Sequence, residues 1–270
     1  MSIEPPLFDT VIGIDCATKP ENTGLAIARR VDGAWRLCDV QDGRRDGDPA
    51  DAVAAWTPDG HRILIALDAP LGWPARMSPT LRHHRAGDRI SAAPNLMFAR
   101  ETDRHVYATY GKKPLDVGAD RIARTALAAL VLLDAVRART GCAVPLWWGE
   151  GSAGAPGSAH VAALEVYPAG TLRAHGVHAK GYKKVHNGPG RRAVATLLAD
   201  RMLLPVDFDV SRLGDDAIDA ALCVLAGVDV AEGRAIGPTL EQRSVSRTEG
   251  WIWVRSPVDL DPSPGRGERT

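Results

Sequence analysis

Five carboxylates lie in or beside apolar segments of the sequence, where an acidic side chain is costly to bury without a partner. Asp15 and Asp68 each end an apolar run, and Glu165 lies inside a third such run. Asp216 and Asp219 are three residues apart at the start of a helical pattern, so they project from one helix face. Asp is also common in turns and in the first turn of helices, so an Asp at any one of these positions alone has a structural explanation.

Taken together, the five carboxylates indicate metal chemistry. Carboxylates gathered at one sheet edge would repel one another and shift one another's pKa values. Divalent cations would remove that conflict, because Mg²⁺ binds a few carboxylates and fills its other octahedral positions with water and substrate phosphate oxygens. Two such ions about 3.5–4 Å apart can stabilise both the attacking and the leaving oxygen when a phosphodiester is cleaved.

The strands that would hold these residues are predicted from short apolar runs bounded by turn residues. The predicted strands are 11–14, 25–31, 35–40, 63–67 and 161–168. Asp32-Gly33 separates the second from the third and is typical of a two-residue hairpin turn. The pattern predicts three antiparallel strands at the start of the chain and then strands that alternate with helices, which is an α/β sheet.

Helices are predicted from apolar residues spaced three and four apart. The predicted helices are 49–56, 120–140, 168–176, 191–204 and 213–228. Asp48 is expected to cap the first of them, and Gly141 stands where a C-terminal cap of the second belongs. The apolar stripe of the second helix is expected to lie in the core. That stripe consists of Ile122, Ala126, Leu127, Leu130, Val131, Leu133 and Val136.

Residues 73–118 show no clean periodicity and are rich in Arg, His and Lys. A structureless loop of this length is unusual in a compact domain, so we predict a basic insertion with its own short helices over one edge of the core. Residues 1–257 are predicted to form a single domain with this insertion. The small-residue stretch 149–158 is predicted to be a mobile loop, and the tail 258–270 to be disordered.

The overall composition limits the classes of partner and compartment. Thirty-three basic and thirty-three acidic residues give zero formal net charge, so nucleic acid would have to meet local basic segments. Cys16, Cys38, Cys142 and Cys223 lack metal-ligand or redox spacing, which predicts buried free thiols in a reducing compartment. No apolar stretch reaches membrane-spanning length and no secretion signal is apparent, so we expect a cytoplasmic protein without a membrane partner.

The order of an Asp-ended strand, a hairpin, a second Asp-ended strand and a late Asp-x-x-Asp helix resembles the ribonuclease H-like superfamily. Residues 216–222, Asp-Ala-Ile-Asp-Ala-Ala-Leu, are similar to the last helix of Holliday-junction resolvases. Motifs spread over residues 11–252 closely resemble an uncharacterised bacterial and archaeal family of predicted nucleases with a ribonuclease H fold. Those motifs are residues 65–72, Arg100-x-x-Asp103, and residues 165–168, 180–183 and 249–252.

The resemblance implies an α/β protein with a ribonuclease H-like mixed sheet, flanked by helices and carrying the basic insertion. It also implies a metal-dependent nuclease that hydrolyses phosphodiester bonds of DNA or RNA. Asp15, Asp68 and one or both of Asp216 and Asp219 would bind Mg²⁺ or Mn²⁺, and with Glu165 they are the candidate catalytic residues. Glu165 could instead serve a structural hydrogen bond or ion pair.

The same resemblance gives four substrate-binding candidates, Arg100, Lys180, Tyr182 and Lys183. Lys180, Tyr182 and Lys183 suit phosphate contact and base stacking, although a Lys-rich turn can equally be a solvated loop. Arg100 could contact a substrate phosphate or form a salt bridge with Asp103, and the salt bridge is the favoured interpretation.

Two other functions fit parts of the sequence. A nucleotide-binding phosphotransferase of the actin and sugar-kinase type would share the sheet topology, but no second phosphate loop rich in Asp and Gly is recognisable. A non-catalytic protein that keeps the fold could bind nucleic acid through the basic insertion, although zero net charge argues against strong non-specific binding. The nuclease is the favoured interpretation.

Overall fold

A five-stranded mixed sheet forms the centre of the structure, a computed structural model that describes residues 7–43, 47–118, 120–149, 160–184 and 186–257. Its strands, in the spatial order β3-β2-β1-β4-β5, are β1 (Thr10–Asp15), β2 (Gly24–Val31), β3 (Ala34–Gln41), β4 (Arg62–Asp68) and β5 (His160–Glu165). β1 and β3 run antiparallel to β2, whereas β4 is parallel to β1 and β5 is parallel to β4. The predicted mixed α/β sheet is therefore confirmed.

Helices flank this sheet on both faces. They are α1 (Pro49–Ala55), α2 (Met77–Leu81), α3 (Pro94–Phe98), α4 (Glu101–Tyr110), α5 (Asp120–Thr140), α6 (Pro168–Ala174), α7 (Gly188–Arg201), α8 (Asp215–Ala231) and α9 (Arg243–Glu249). α1 and α5 pack against one face of the sheet, and α8 lies across the other. A small second sheet pairs β6 (Ala235–Ile236) with β7 (Val254–Arg255).

The turn between β2 and β3 is the predicted hairpin. Asp32 and Gly33 have φ angles of 52° and 82°. Positive φ at both turn residues gives the backbone twist that matches the flanking strands. At the opposite end of β2, Gly24 pairs with Asp15, so the turn after β1 and the start of β2 lie beside the strand end that carries this carboxylate.

Glycines allow α8 to lie directly on the sheet. A Cβ atom at Gly13 would lie 2.2 Å from the carbonyl oxygen of Ala220, and one at Gly24 would lie 2.1 Å from that of Asp216. Side chains do not approach backbone atoms this closely, so both positions require glycine. The first two turns of α8 therefore lie close over the ends of β1 and β2.

The helix α5 has the predicted bounds, but its apolar stripe is only partly buried. Ala126, Leu133 and Val136 are buried, whereas Leu127 and Val131 are 59% and 61% exposed. Positions four apart lie on the same flank of a helix, and this flank of α5 faces away from the sheet. The prediction that the whole stripe is core was wrong at these two residues.

The segment predicted as a basic insertion contains the short helices α2, α3 and α4. Residues 82–89, between α2 and α3, are exposed. The predicted loop 149–158, apart from Gly149, and the predicted tail lie outside the described residues, and the single-domain interpretation stays a prediction. No helix in the described ranges combines the length and the apolar character that a membrane crossing requires.

The four cysteines are free thiols. Cys16 and Cys223 are buried, and Cys142 is half-buried. Cys38 is exposed because it lies on the outward side of β3, where alternate residues face solvent. The prediction of buried thiols was therefore wrong at Cys38.

Candidate metal centre

Asp15 and Asp68 lie side by side at one end of the sheet. β1 and β4 are parallel, and their register pairs these two residues at the carboxyl ends of both strands. Residues paired in this way project to the same face of a sheet, here the face covered by α8. The strand residues ahead of each carboxylate are buried, so a rigid segment fixes the depth at which each carboxylate lies.

Asp219 completes a cluster of three carboxylates. It lies in the second turn of α8 and is 1% exposed. One oxygen each from Asp15, Asp68 and Asp219 lies within 4.8 Å of the other two. The glycine contacts at Gly13 and Gly24 make this arrangement possible, because they bring the backbone of α8 onto the strand ends. We call the three residues the acidic triad.

Two neighbouring side chains contact Asp219. The Tyr182 hydroxyl donates a 2.6 Å hydrogen bond to Oδ1, and the Lys183 ammonium forms an ion pair with Oδ2. Both donors lie in the turn that precedes α7. No described residue donates a hydrogen bond to the side chain of Asp15 or Asp68. The described part of the chain therefore leaves the acceptor oxygens of these two carboxylates without a hydrogen-bond donor.

Burial and crowded negative charge raise the pKa values of the triad. Burial, followed by the charges of Asp68 and Asp219, raises the pKa of Asp15 well above its ordinary value. Burial and the charge of Asp219 raise the pKa of Asp68 to about 8. Burial also raises the pKa of Asp219, although Lys183 opposes that shift. Among the described residues, one half-exposed lysine pairs with the three carboxylates, and this arrangement could hold a cation.

Asp216 lies three residues before Asp219 on α8 but is not part of the triad. Its side chain is half-buried, and burial together with the charge of Asp215 raises its pKa. The structure therefore brings together three of the four predicted metal ligands and leaves Asp216 beside them. Asp215 is exposed in the first turn of α8, a position where the helix dipole favours an acidic residue.

Glu165 lies outside the triad because of the register between β5 and β4. β5 pairs with β4 so that Glu165 lies opposite Leu67, one residue before Asp68. Successive side chains of a strand point to opposite faces, so Glu165 projects away from the face that carries Asp68. This geometry corrects the prediction of Glu165 as a catalytic residue and favours the structural ion pair that the sequence left open.

Glu165 instead forms a buried ion pair with Arg100. The guanidinium donates to both oxygens of Glu165, to both oxygens of Asp103 and to the carbonyl oxygen of Glu249, at 2.6–3.1 Å. These five bonds use every N–H of the side chain. Burial acts to lower the pKa of Arg100, but the charges and hydrogen bonds of Glu165 and Asp103 raise it. We call these four residues the Arg100 network.

The burial of the network shows that Arg100 has a structural role. The residue is 1% exposed and has no N–H left for a phosphate. The prediction that Arg100 binds substrate was therefore wrong, and the favoured salt bridge with Asp103 is confirmed.

The three other substrate-binding candidates have different surroundings. Lys183 lies at the triad with its side chain 49% exposed. Tyr182 is 7% exposed, and its hydroxyl is bonded to Asp219, so the ring has no free face for stacking on a base. Lys180 is exposed, and its carbonyl oxygen accepts a hydrogen bond from the Asn187 side chain at 2.8 Å. Lys183 is thus the candidate best placed to meet a substrate.

Sequence reasoning missed two glycines and one contact that shape the centre. Gly13 and Gly24 admit α8, and a glycine inside a strand pattern is itself a known sign of a close backbone approach. The contact between Tyr182 and Asp219 joins segments 37 residues apart. No local pattern marks such a contact.

The fold and the site define a mixed α/β protein with a buried carboxylate cluster at a sheet end. A family model described as "Protein of unknown function (DUF429)" matches residues 13–242, a range that contains the whole acidic triad and the Arg100 side chain. The chain therefore belongs to this family. The comparison with curated proteins found no match.

Proposed function

We propose that this protein is a metal-dependent nuclease that hydrolyses phosphodiester bonds of DNA or RNA. The acidic triad carries the proposal, because Asp15, Asp68 and Asp219 each offer an oxygen within 4.8 Å of the other two. Asp15 and Asp68 are half-buried, whereas Asp219 is buried, so the first two carboxylates are the ones nearer to solvent.

The donor set suits Mg²⁺ or Mn²⁺. All three donors are carboxylate oxygens, the hard ligands that these ions prefer over the nitrogen and sulfur ligands typical of zinc. Burial, and after it the charges of neighbouring carboxylates, raises the pKa values of Asp15 and Asp68, and a bound cation would offset that negative charge. When bound, the cation would activate an attacking water and offset the charge that develops on the phosphate.

The neighbouring side chains have distinct tasks in this proposal. The Lys183 ammonium stays charged, since the triad carboxylates raise its pKa even though burial acts to lower it. Its exposed position lets it contact a substrate phosphate oxygen. Tyr182 orients Asp219 by donating its hydroxyl hydrogen to Oδ1, which leaves Oδ2 facing Lys183.

The ribonuclease H-like interpretation of the fold belongs to the same proposal. Three antiparallel strands precede two parallel strands in the order that the resemblance implies. Two of the clustered carboxylates end adjacent parallel strands, and the third comes from a late helix. Because a fold does not fix a function, the proposal depends on the triad rather than on the sheet.

Cleavage of labelled oligonucleotides tests the proposed activity. The substrates are single-stranded DNA, duplex DNA, single-stranded RNA and an RNA–DNA hybrid, each with Mg²⁺, Mn²⁺ or EDTA. We expect cleavage with at least one metal and none with EDTA. We expect Asp15→Asn to lower the rate by about a hundredfold or more, since it removes a ligand from the metal that stabilises the transition state.

Asp207→Asn is the matched control. Asp207 is exposed, so the change removes one carboxylate charge without touching the triad. Melting curves of both variants verify that the fold is retained. The proposal fails if no substrate is cut with any divalent metal, or if Asp15→Asn cuts as fast as Asp207→Asn.

A further inference from the structure

A groove lies on the face of the sheet opposite the acidic triad, at the same end of β1. Cys16 follows Asp15 directly and packs with the apolar side chains on the α1 and α5 side of the sheet. It lines a groove of about 430 Å³, a volume within the range of small-molecule binding sites.

Two elements form the main walls of this groove. One is the turn between β1 and β2, which contributes Thr18, Pro20 and Thr23. The other is the outer flank of α5, which contributes Leu127 and Val131. These two side chains are more than half exposed, so the groove offers an apolar surface that the described part of the chain does not cover.

The charged groups at the groove favour an anionic ligand. Arg124 lines the groove and is exposed, and no described residue forms a hydrogen bond or an ion pair with it. Asp48, the residue before α1, also lines the groove, but it accepts a hydrogen bond from the backbone N–H of Ala50 and pairs with Arg139. The carboxylate of Asp48 is therefore satisfied by Ala50 and Arg139, whereas the guanidinium of Arg124 is available to an anionic ligand.

We propose that the groove binds nucleobases of a single-stranded stretch next to the phosphate held at the triad, with Arg124 contacting the backbone of that stretch. This inference rests on the proposed nuclease function. Asp15 and Cys16 are consecutive, so a nucleic-acid strand that crosses the end of β1 can meet the triad on one face and the groove on the other. The side chains of Leu127 and Val131 offer apolar contact area to the faces of bases of any sequence.

Binding measured in EDTA tests the groove without cleavage. The probes are fluorescein-labelled single strands of DNA and of RNA, about twelve nucleotides long, together with duplexes of the same sequence. We expect the double variant Leu127→Ser/Val131→Ser to raise the Kd for single strands about tenfold, since it removes apolar contact area, and to leave duplex binding unchanged. We expect Arg124→Gln to raise Kd severalfold and to reduce the salt slope by about one.

Val206→Ser/Leu240→Ser is the matched control, because both residues are exposed apolar side chains outside the groove. It should bind single strands like the wild type. Equal Kd values for the wild type and the groove variant, or an equal loss in the control, would overturn the inference. A dimer that dissociates in the groove variant, with unchanged oligonucleotide affinity, would overturn it in favour of a second copy of the chain.

The two proposals can fail separately. Groove-dependent binding of single strands, with no cleavage under any divalent metal, would reject the nuclease and support the groove as a nucleobase site. Metal-dependent cleavage, with wild-type affinity and rate in the groove variant, would reject the groove assignment and support the nuclease.

Discussion

The Arg100 network and the acidic triad both gather charged side chains at the carboxyl end of the sheet, but they differ in how the charge is satisfied. In the network, every N–H of the Arg100 guanidinium donates to an acceptor. The Glu249 carboxylate accepts from the backbone N–H groups of Ala75 and Glu101 at 2.8 and 2.6 Å. In the triad, by contrast, no described residue donates to two of the three carboxylates.

The difference shows that buried charge alone does not mark a functional site. The network joins β5 to α4 and to the end of α9, so its closed set of bonds holds the segment 73–118 against the sheet. In the triad, Asp15 and Asp68 are half-buried, and Lys183 is the one described residue that forms an ion pair with any of the three carboxylates. A cluster whose charged groups all have partners within the protein, such as the Arg100 network, is therefore structural. A cluster with unpartnered carboxylates, such as the triad, is a candidate metal centre.

The largest effect that we predict is a loss of stability when Arg100 is removed from the Arg100 network. Arg100→Met leaves Glu165 buried without its partner and should lower the free energy of unfolding by about 3–5 kcal/mol. Arg104→Met, four residues further along the chain in α4, is the control. The Arg104 side chain is partly exposed, and its ion pair with Glu101 should contribute at most about 1 kcal/mol. Urea denaturation measures both values. Equal losses in the two variants would contradict the structural role of Arg100.

The next effect concerns the packing that positions the triad. In Gly13→Ala the new methyl group would meet the carbonyl oxygen of Ala220 and the backbone nitrogen of Val224, so α8 must move away from β1. We expect a loss of about 1–3 kcal/mol in urea denaturation. We also expect weaker Mn²⁺ binding by calorimetry, since Asp219 moves with the helix. Wild-type Mn²⁺ affinity in a folded Gly13→Ala variant would show that α8 does not position a ligand.

The raised pKa of Asp68 predicts a pH dependence of stability. Between about pH 4 and about pH 8, the unfolded chain has released this proton while the folded chain retains it. In EDTA the free energy of unfolding of the wild type, relative to Asp68→Asn, should therefore fall as pH rises through this window, by at most about 1.4 kcal/mol per pH unit. Urea denaturation over this pH range measures the difference, and saturating Mn²⁺ should reverse it. If the stability of the wild type and of Asp68→Asn varied with pH in the same way, the raised pKa of Asp68 would be contradicted.

The smallest predicted effect is a change in Mn²⁺ affinity on substitution of Asp216, which should be weaker than the change on substitution of Asp219. Asp216→Asn removes a nearby charge and should weaken Mn²⁺ binding by less than about tenfold, whereas Asp219→Asn removes a ligand and should weaken it far more. Asp215→Asn, at an exposed position of the same helix, is the control. Calorimetric titration with Mn²⁺ compares the three variants. An equal loss in Asp216→Asn and Asp219→Asn would extend the ligand set to four residues.

The sheet and the strand carboxylates were predictable because each depends on a local pattern. Asp15 and Asp68 end apolar runs of similar length, and parallel pairing aligns such ends. The role of Glu165 could not be predicted, since it depends on pairing opposite Leu67 rather than Asp68. A shift of one residue reverses the face of a side chain, and the apolar run around Glu165 does not contain this information.

Other features depended on tertiary contacts between distant segments. The spacing of Arg100 and Asp103 favoured a salt bridge between them, but only the folded chain brings Glu165 to Arg100. The exposure of Leu127 and Val131 likewise depends on which flank of α5 packs against the sheet, which helical spacing does not show. The start of α1 was predicted correctly because its cap is formed by a residue next to it in the sequence, Asp48, which accepts a hydrogen bond from the backbone N–H of Ala50.

The most direct test of the central claim is an anomalous-scattering map from a crystal of this protein soaked in Mn²⁺. The account predicts a peak bound by oxygens of Asp15, Asp68 and Asp219, absent from a matched crystal of Asp15→Asn. An empty triad at saturating Mn²⁺, with Lys183 still paired to Asp219, would contradict it.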